Sequence, residues 1–223
     1  MARLTADDMI DIVRDCLGGE TTETISDTRI LRYINQSYLE LSSEYQFRQL
    51  STSTTVTTTS GTAAYELSVS NVLSFEDIVD GTNDVLLHRI SEWQYLKYTQ
   101  GGTTSGVPAY WFISGVGSNN RYELTLWPTP GGTYSLTVYY NQSPDELVTS
   151  PTATSAVIPE PWDDSIIYRA VARGWMQLGD PDIASKWIGM ARKNDNSAMK
   201  STYEPSYVSV RPGSPIGRAL RDV

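Results

Sequence analysis

Apolar residues recur along this chain with two different periods, and the change between them divides the sequence. In "TADDMIDIVRDCLGG", from Thr5, the residues Met9, Ile12, Val13, Cys16 and Leu17 fall on one face of a 3.6-residue period, which predicts an amphipathic helix. Thr5 stands where a cap belongs, Asp7 and Asp8 occupy the first turn where the helix dipole favours acids, and Gly18-Gly19 end the helix. A second helix is predicted in "SDTRILRYINQSYLELSSEYQF", with Ser26 as cap. Ile30, Ile34, Leu41 and Tyr45 form its stripe, widened by Leu31 and Tyr38. Past Leu50 the period drops to two. "QLSTSTTVTTTSGTAAYELS" is β-branched and alternating with Gly61 as its turn, and "VLSFEDIVDGTNDVLLHRIS" predicts two more strands around Asp80-Gly81. A short helix in "SEWQYLKYT" and strands at Ala109–Ser114, Tyr122–Trp127 and Tyr134–Tyr140 follow. "SPTATSAVIPEP" reads as a linker. The helical period then returns from Trp162 to Leu178, with Ile166, Ile167, Ala170, Val171, Gly174, Trp175 and Leu178 on one side, and again from Ile183 to Met199.

This pattern predicts an α+β fold. Each terminal pair of helices is too short to be stable alone, so the two pairs are expected to pack into one bundle. Residues 1–50 supply its first half and 151–201 its second. Residues 51–150 form an inserted β domain, mainly antiparallel because its strands are short and neighbours in sequence. Residues 202–223 contain Pro205, Pro212 and Pro215 and no period, which predicts an extended C-terminal arm.

Charge and composition narrow the function. The chain of 223 residues has a net charge of −9. Acids outnumber bases nine to three over residues 51–150, whereas residues 151–223 carry eight acids and nine bases. Strong binding to a phosphate backbone needs clustered Lys and Arg, and the acidic middle disfavours it. One cysteine excludes an intrachain disulfide and fits a reducing compartment. The N-terminal residues lack the apolar run of a secretion signal, and no apolar run approaches a membrane span.

Candidate chemistry is sparse. His88 is the lone histidine and alternates as a strand residue; Cys16 lies on the apolar face of the first helix. Together they are too few for an ordinary zinc site, and no nucleophile–base motif accompanies them. Asp7, Asp8, Asp11 and Asp15, and the cluster of Glu76, Asp77, Asp80 and Asp84, could supply paired carboxylates for glycoside hydrolysis. Such clusters are usually solvated faces, which is the favoured reading here. The aromatic residues of the β region, including Trp93, Tyr95, Tyr98, Tyr110, Trp111, Tyr122, Trp127, Tyr139 and Tyr140, could form a sugar platform or a protein interface. No cofactor or metal is expected.

The ordered set of motifs resembles a family. It comprises the helix with Leu31–Asn35 ("LRYIN"), Gly106–Tyr110 ("GVPAY"), Trp127–Pro130 ("WPTP"), and Ile158-Pro159 leading to a helix ending in Gly179-Asp180, with Ala184 and Trp187 after it. This order is similar to that of the head-to-tail connector adaptor proteins of tailed bacteriophages, over most of residues 1–200. One departure is "YELSVSN", where the family often has Pro after the Leu. The resemblance implies a structural virion protein, assembled in the bacterial host cytoplasm, that forms a homo-oligomeric ring of twelve copies beneath the portal protein. It extends the DNA channel, lets duplex DNA pass without specific binding, and meets a tail nozzle or other tail protein. On this reading the β domain faces the tail through Tyr110, Trp111, Trp127 and Tyr139. The arm, with Tyr203, Tyr207, Arg211, Ile216, Arg218 and Arg221, lies along the portal. The competing readings are a tail nozzle, tube or receptor-binding module with a carbohydrate-binding β domain, and a cell-wall hydrolase.

Overall fold

The structure, a computed structural model, describes residues 3–19, 24–102, 104–116 and 121–203. The fold is α+β, with five helices and a mostly antiparallel seven-stranded sheet. The helices are α1 (Ala6–Cys16), α2 (Asp27–Glu44), α3 (Glu92–Thr99), α4 (Asp163–Leu178) and α5 (Pro181–Tyr203). The chain forms two compact units. The helical unit is drawn from Met1–Glu44 and Asp145–Val223, and the β unit is Tyr45–Pro144.

In the helical unit, α1 starts on a capping box: the Thr5 hydroxyl accepts from the Asp8 N–H, and the Asp8 carboxylate accepts from the Thr5 N–H. The buried face of α1 and its C-cap is Ala6, Met9, Ile10, Val13 and Leu17, so the predicted face is rotated, and Ile12 and Cys16 sit half-buried at its margin. The rotation follows from Leu17, which packs on Gly174 of α4. A Cβ added at Gly174 would stand 2.7 Å from Leu17 Cδ2, so the glycine sets the approach of these helices. α4 packs against α1, α2 and α5, which is why Ile166, Ile167, Ala170, Val171 and Ala172 are all buried. Gly179, at φ +85, ends α4 in the left-handed conformation that favours glycine. The Asp180 carboxylate then accepts from the Ile183 N–H at 3.1 Å and starts α5. Ala184, Ala191 and Ala198, seven apart, form the buried stripe of α5 together with Asp195. The helix is longer than the periodicity predicts and runs to Tyr203, two residues into the predicted arm. Residues 204–223 lie outside the described residues.

The predicted linker is built into the helical unit instead of hanging loose. The Asn35 side-chain oxygen accepts from the Leu147 N–H (2.8 Å), and its nitrogen donates to the Leu147 carbonyl (3.1 Å). The Ala6 N–H donates to the Thr154 carbonyl, and the Val157 N–H to the Tyr38 hydroxyl. Ala156 and Ile158 are buried. Irregular backbone must find such partners when it is packed, and they leave no periodic trace in the sequence.

The β unit holds β1 (Ser51–Thr57), β2 (Ala64–Leu67), β3 (Val72–Asp80), β4 (Val85–Arg89), β5 (Ser105–Gly106), β6 (Tyr110–Val116), β7 (Tyr122–Trp127), β8 (Thr129–Pro130) and β9 (Ser135–Gln142). The main sheet runs β1-β9-β3-β4-β6-β7-β2, and β5 pairs with β8 separately. The pairs β4–β6 and β5–β8 are parallel, and the other pairs are antiparallel. The β3–β4 hairpin forms as expected, its turn held by the Asp80 carboxylate, which accepts from the Thr82 and Asn83 N–H groups. The strands on either side of Gly61 do not pair with each other; they form the two edges of the sheet. Their connection is held elsewhere: the Thr58 N–H donates to the Tyr134 carbonyl, the Gly61 N–H to the Pro130 carbonyl, and the Leu126 N–H to the Ala63 carbonyl. The sheet is rolled. β3 and β7 are three strand positions apart, about 14 Å in a flat sheet, yet the rings of Phe75 and Tyr122 meet edge-on at 5.1 Å between centroids. Rolling encloses one core, made of Leu67, Ile78, Leu87, Trp111, Leu124, Leu126, Leu136 and Val138.

Candidate interaction surfaces

Alternation along β6 and β7 sorts the aromatic residues into two sets. Trp111 and its register partner Leu126 point into the core, and Trp111 is 1% exposed. Tyr110 and its partner Trp127 point outward, where α3 covers them: Tyr98 stacks on Trp127 at 4.7 Å and meets Tyr110 at 5.6 Å. Tyr95 packs on Phe112 at 4.9 Å. α3 itself buries no residue. Its outer side shows Trp93 (63% exposed) and Leu96 (52%), with the Lys97 ammonium 3.6 Å from the Trp93 ring centroid. Of the four β-region residues singled out from the sequence, Tyr110 and Trp127 are therefore brought together. Tyr139 is exposed on β9, opposite Ser53 in register. Trp111 is a correction: it is a core residue and presents no surface to a partner.

Two of the carboxylates singled out from the sequence hold structure. Asp80 is buried and engaged in its turn; the Glu76 carboxylate accepts from Asn141 (2.8 Å) and Ser51 (3.0 Å) and ties β3 to β9 and β1. Burial pushes the Cys16 thiol up, with Asp15 adding to it, which disfavours the reactive thiolate. His88 is exposed, its ring 6.0 Å from that of Tyr110. A cavity of about 420 Å³ is lined by Arg89, Ile90, Ser91, Glu92, Phe112 and Ile113. Its hydroxyl, Ser91, is committed to capping α3 through the Gln94 N–H and side chain. Among the described residues no group of three or more His, Cys, Asp or Glu could hold a metal ion, and no helix is long and apolar enough to cross a membrane.

Two charged clusters lie inside the helical unit. The Arg169 guanidinium on α4 reaches Glu44 (2.7 Å) and Glu40 (3.1 Å) of α2 and Asp195 (2.7 Å) of α5. Burial opposes the Arg169 charge, but the hydrogen bonds it donates to Glu44 and Asp195 outweigh it and push its pKa further up. Arg173 donates to Glu40 beside it. Arg3 bonds the Ile158 carbonyl and pairs with Asp163 at 3.2 Å. Burial pushes the Asp163 carboxyl up to about 6, against the lowering effect of Arg3. Folded Asp163 thus holds a proton between about pH 4 and 6 that the unfolded chain has released, so its contribution to stability falls as pH rises through that window. Asp163→Asn removes this dependence. Its stability relative to the parent chain is expected to improve from pH 4 to pH 7 by up to about 3 kcal/mol. Urea unfolding at the two pH values measures it, and an unchanged difference would refute it.

Of the residues expected to form the portal-binding arm, Tyr203 is the last residue of α5. Tyr207, Arg211, Ile216, Arg218 and Arg221 lie outside the described residues. Comparison with known families finds a match over residues 4–213 to the model of the SU10 adaptor protein. No curated protein matches the chain.

Proposed function

The chain belongs to the SU10 adaptor protein family, which makes it a structural adaptor of the phage virion that meets other head or tail proteins, and from that premise we propose that it forms a ring beneath the portal. The ring holds twelve copies, extends the DNA channel and connects the capsid to the tail. The observation that carries this reading is the extent of the family match, which spans both units.

In this arrangement the helical unit builds the ring and faces the portal, and the β unit faces the tail. Exposed Tyr139 and the outer aromatic cluster of Tyr98, Tyr110 and Trp127 suit the tailward surface, since Tyr and Trp are favoured at protein interfaces. The net charge of −9 suits a channel wall that duplex DNA must slide past without being held. The C-terminal arm, which leaves α5 at Tyr203 and carries Tyr207, Arg211, Ile216, Arg218 and Arg221, grips the portal. Its aromatic, Pro and Arg residues are the mixture that lets a segment order on a partner.

Truncation after Ser201 tests this. The truncated chain is expected to melt at nearly the same temperature as the full chain and to lose most of its co-sedimentation with portal rings. Equal co-sedimentation would remove the arm from the account. Full-length chain that does not bind portal would overturn the placement beneath it.

A further inference from the structure

The helical unit carries two rows of like charge that find little answer among the described residues. On α5, Lys186, Lys193 and Lys200 are spaced by seven and so line one stripe, about 21 Å long. All three are exposed, as is Arg192 about 100° around the helix from Lys193. Among the described residues none of the four forms an ion pair, and Asp182 is the helix's one exposed acid. Met190, 42% exposed, stands beside this stripe, four residues from Lys186 and three from Lys193, whereas Ile188 and Met199, 40% and 38% exposed, flank the buried side of the helix. On α1, Asp8, Asp11 and Asp15 are exposed at spacings of three and four, which places them on one face with half-buried Ile12 between them. Asp8 caps its helix through Thr5, while Asp11 and Asp15 form no ion pair among the described residues.

The two rows lie on different sides of the unit. α1 meets α4 at Gly174, where Leu17 packs. α5 meets α4 at Ser165, whose hydroxyl accepts from Asn194 at 2.9 Å, and at Arg169, which pairs with Asp195. Gly174 and Ser165 are nine residues apart on one helix, about 180° around its axis. A molecule with a basic face and an acidic face on opposite sides can associate head to tail, and such a contact closes into a ring when its rotation allows.

We infer that the outer face of α5 is a docking surface for α1 of a second copy of this chain, with Lys186, Lys193 and Lys200 against Asp11 and Asp15. Charge complementarity selects this occupant over nucleic acid. A phosphate backbone would answer the lysines but leave Met190 in water and the acids of α1 unanswered, whereas α1 of a second copy answers both charges and Ile12 offers Met190 an apolar neighbour. The inference deepens the ring reading by naming the contact between copies, and it stands on charge and exposure independently of the portal.

Native mass spectrometry on the full chain at low salt tests it. The parent chain is expected to form oligomers that dissociate as salt rises. The triple change Lys186→Glu, Lys193→Glu, Lys200→Glu, and separately the double change Asp11→Lys, Asp15→Lys, are expected to weaken association more than about a hundredfold. These side chains are exposed, so melting temperatures should hold. Mixing the two variants should restore assembly, because each face then meets its opposite on the other variant; combining all five changes in one chain should restore it as well. Oligomers that survive both reversals would overturn the α5–α1 contact and leave the ring reading standing. A parent chain that stays monomeric at low salt would also overturn the contact, and one that stays monomeric even on portal would overturn the ring reading too. Reversal without restoration, or lysine changes that abolish retention of duplex DNA while leaving the oligomer unchanged, would reject the second copy as occupant.

Discussion

An Arg169→Leu chain is expected to lose about 3–5 kcal/mol of stability, because breaking a buried ion cluster strands a charge in the interior. Arg169 is the cation that joins three helices: it reaches Glu40 and Glu44 on α2 and Asp195 on α5. The two glutamates are substantially exposed and can turn to water, but Asp195 is 2% exposed and cannot. The loss should therefore depend on the Asp195 charge. Adding Asp195→Asn to Arg169→Leu should recover part of it, and the non-additivity of the pair reads the coupling directly. Urea unfolding followed by far-ultraviolet circular dichroism measures all three variants. A loss below about 1 kcal/mol for Arg169→Leu would show that the cluster does not hold the three helices together.

The second large effect belongs to the β unit. Trp111→Ala removes a nearly fully buried indole from a core shared with Ile78, Leu87 and Leu126, and is expected to cost about 3–5 kcal/mol. Trp111→Phe keeps most of the ring and should cost much less. Trp111 has no part in the helical unit, so the alanine change should lower the unfolding transition of the β unit and leave the helical transition in place. Limited proteolysis with mass mapping distinguishes these outcomes. If both units unfold together at the lowered temperature, the two are energetically one body.

These two residues also show where sequence reading succeeds and where it stops. The period of the helices is plain in the sequence, and Arg169 is a charge inside the apolar run Ile166 to Val171; its partners are not legible there, because Glu44 comes from α2 far along the chain and Asp195 is picked from α5 only by the packing of that helix on α4. In β6, alternation separates Tyr110 from Trp111, but the sequence leaves open which of the two faces the core. Rolling of the sheet decides it, and that depends on pairs such as β4 with β6 that neighbouring-strand reasoning does not supply. The same limit explains β1 and β2, adjacent in sequence and at opposite sheet edges in space. The seven-residue spacing of Lys186, Lys193 and Lys200 is present in the sequence, but it is burial of Ala184, Ala191 and Ala198 on the other side of α5 that makes it an outward-facing row.

The most direct measurement of the central claim is symmetry-averaged imaging of the capsid vertex in intact virions that carry this chain. The account predicts a twelve-copy ring of it between portal and tail, with the helical units against the portal and the β units toward the tail. A vertex lacking the chain, or the chain found only at the far tip of the tail, would contradict it.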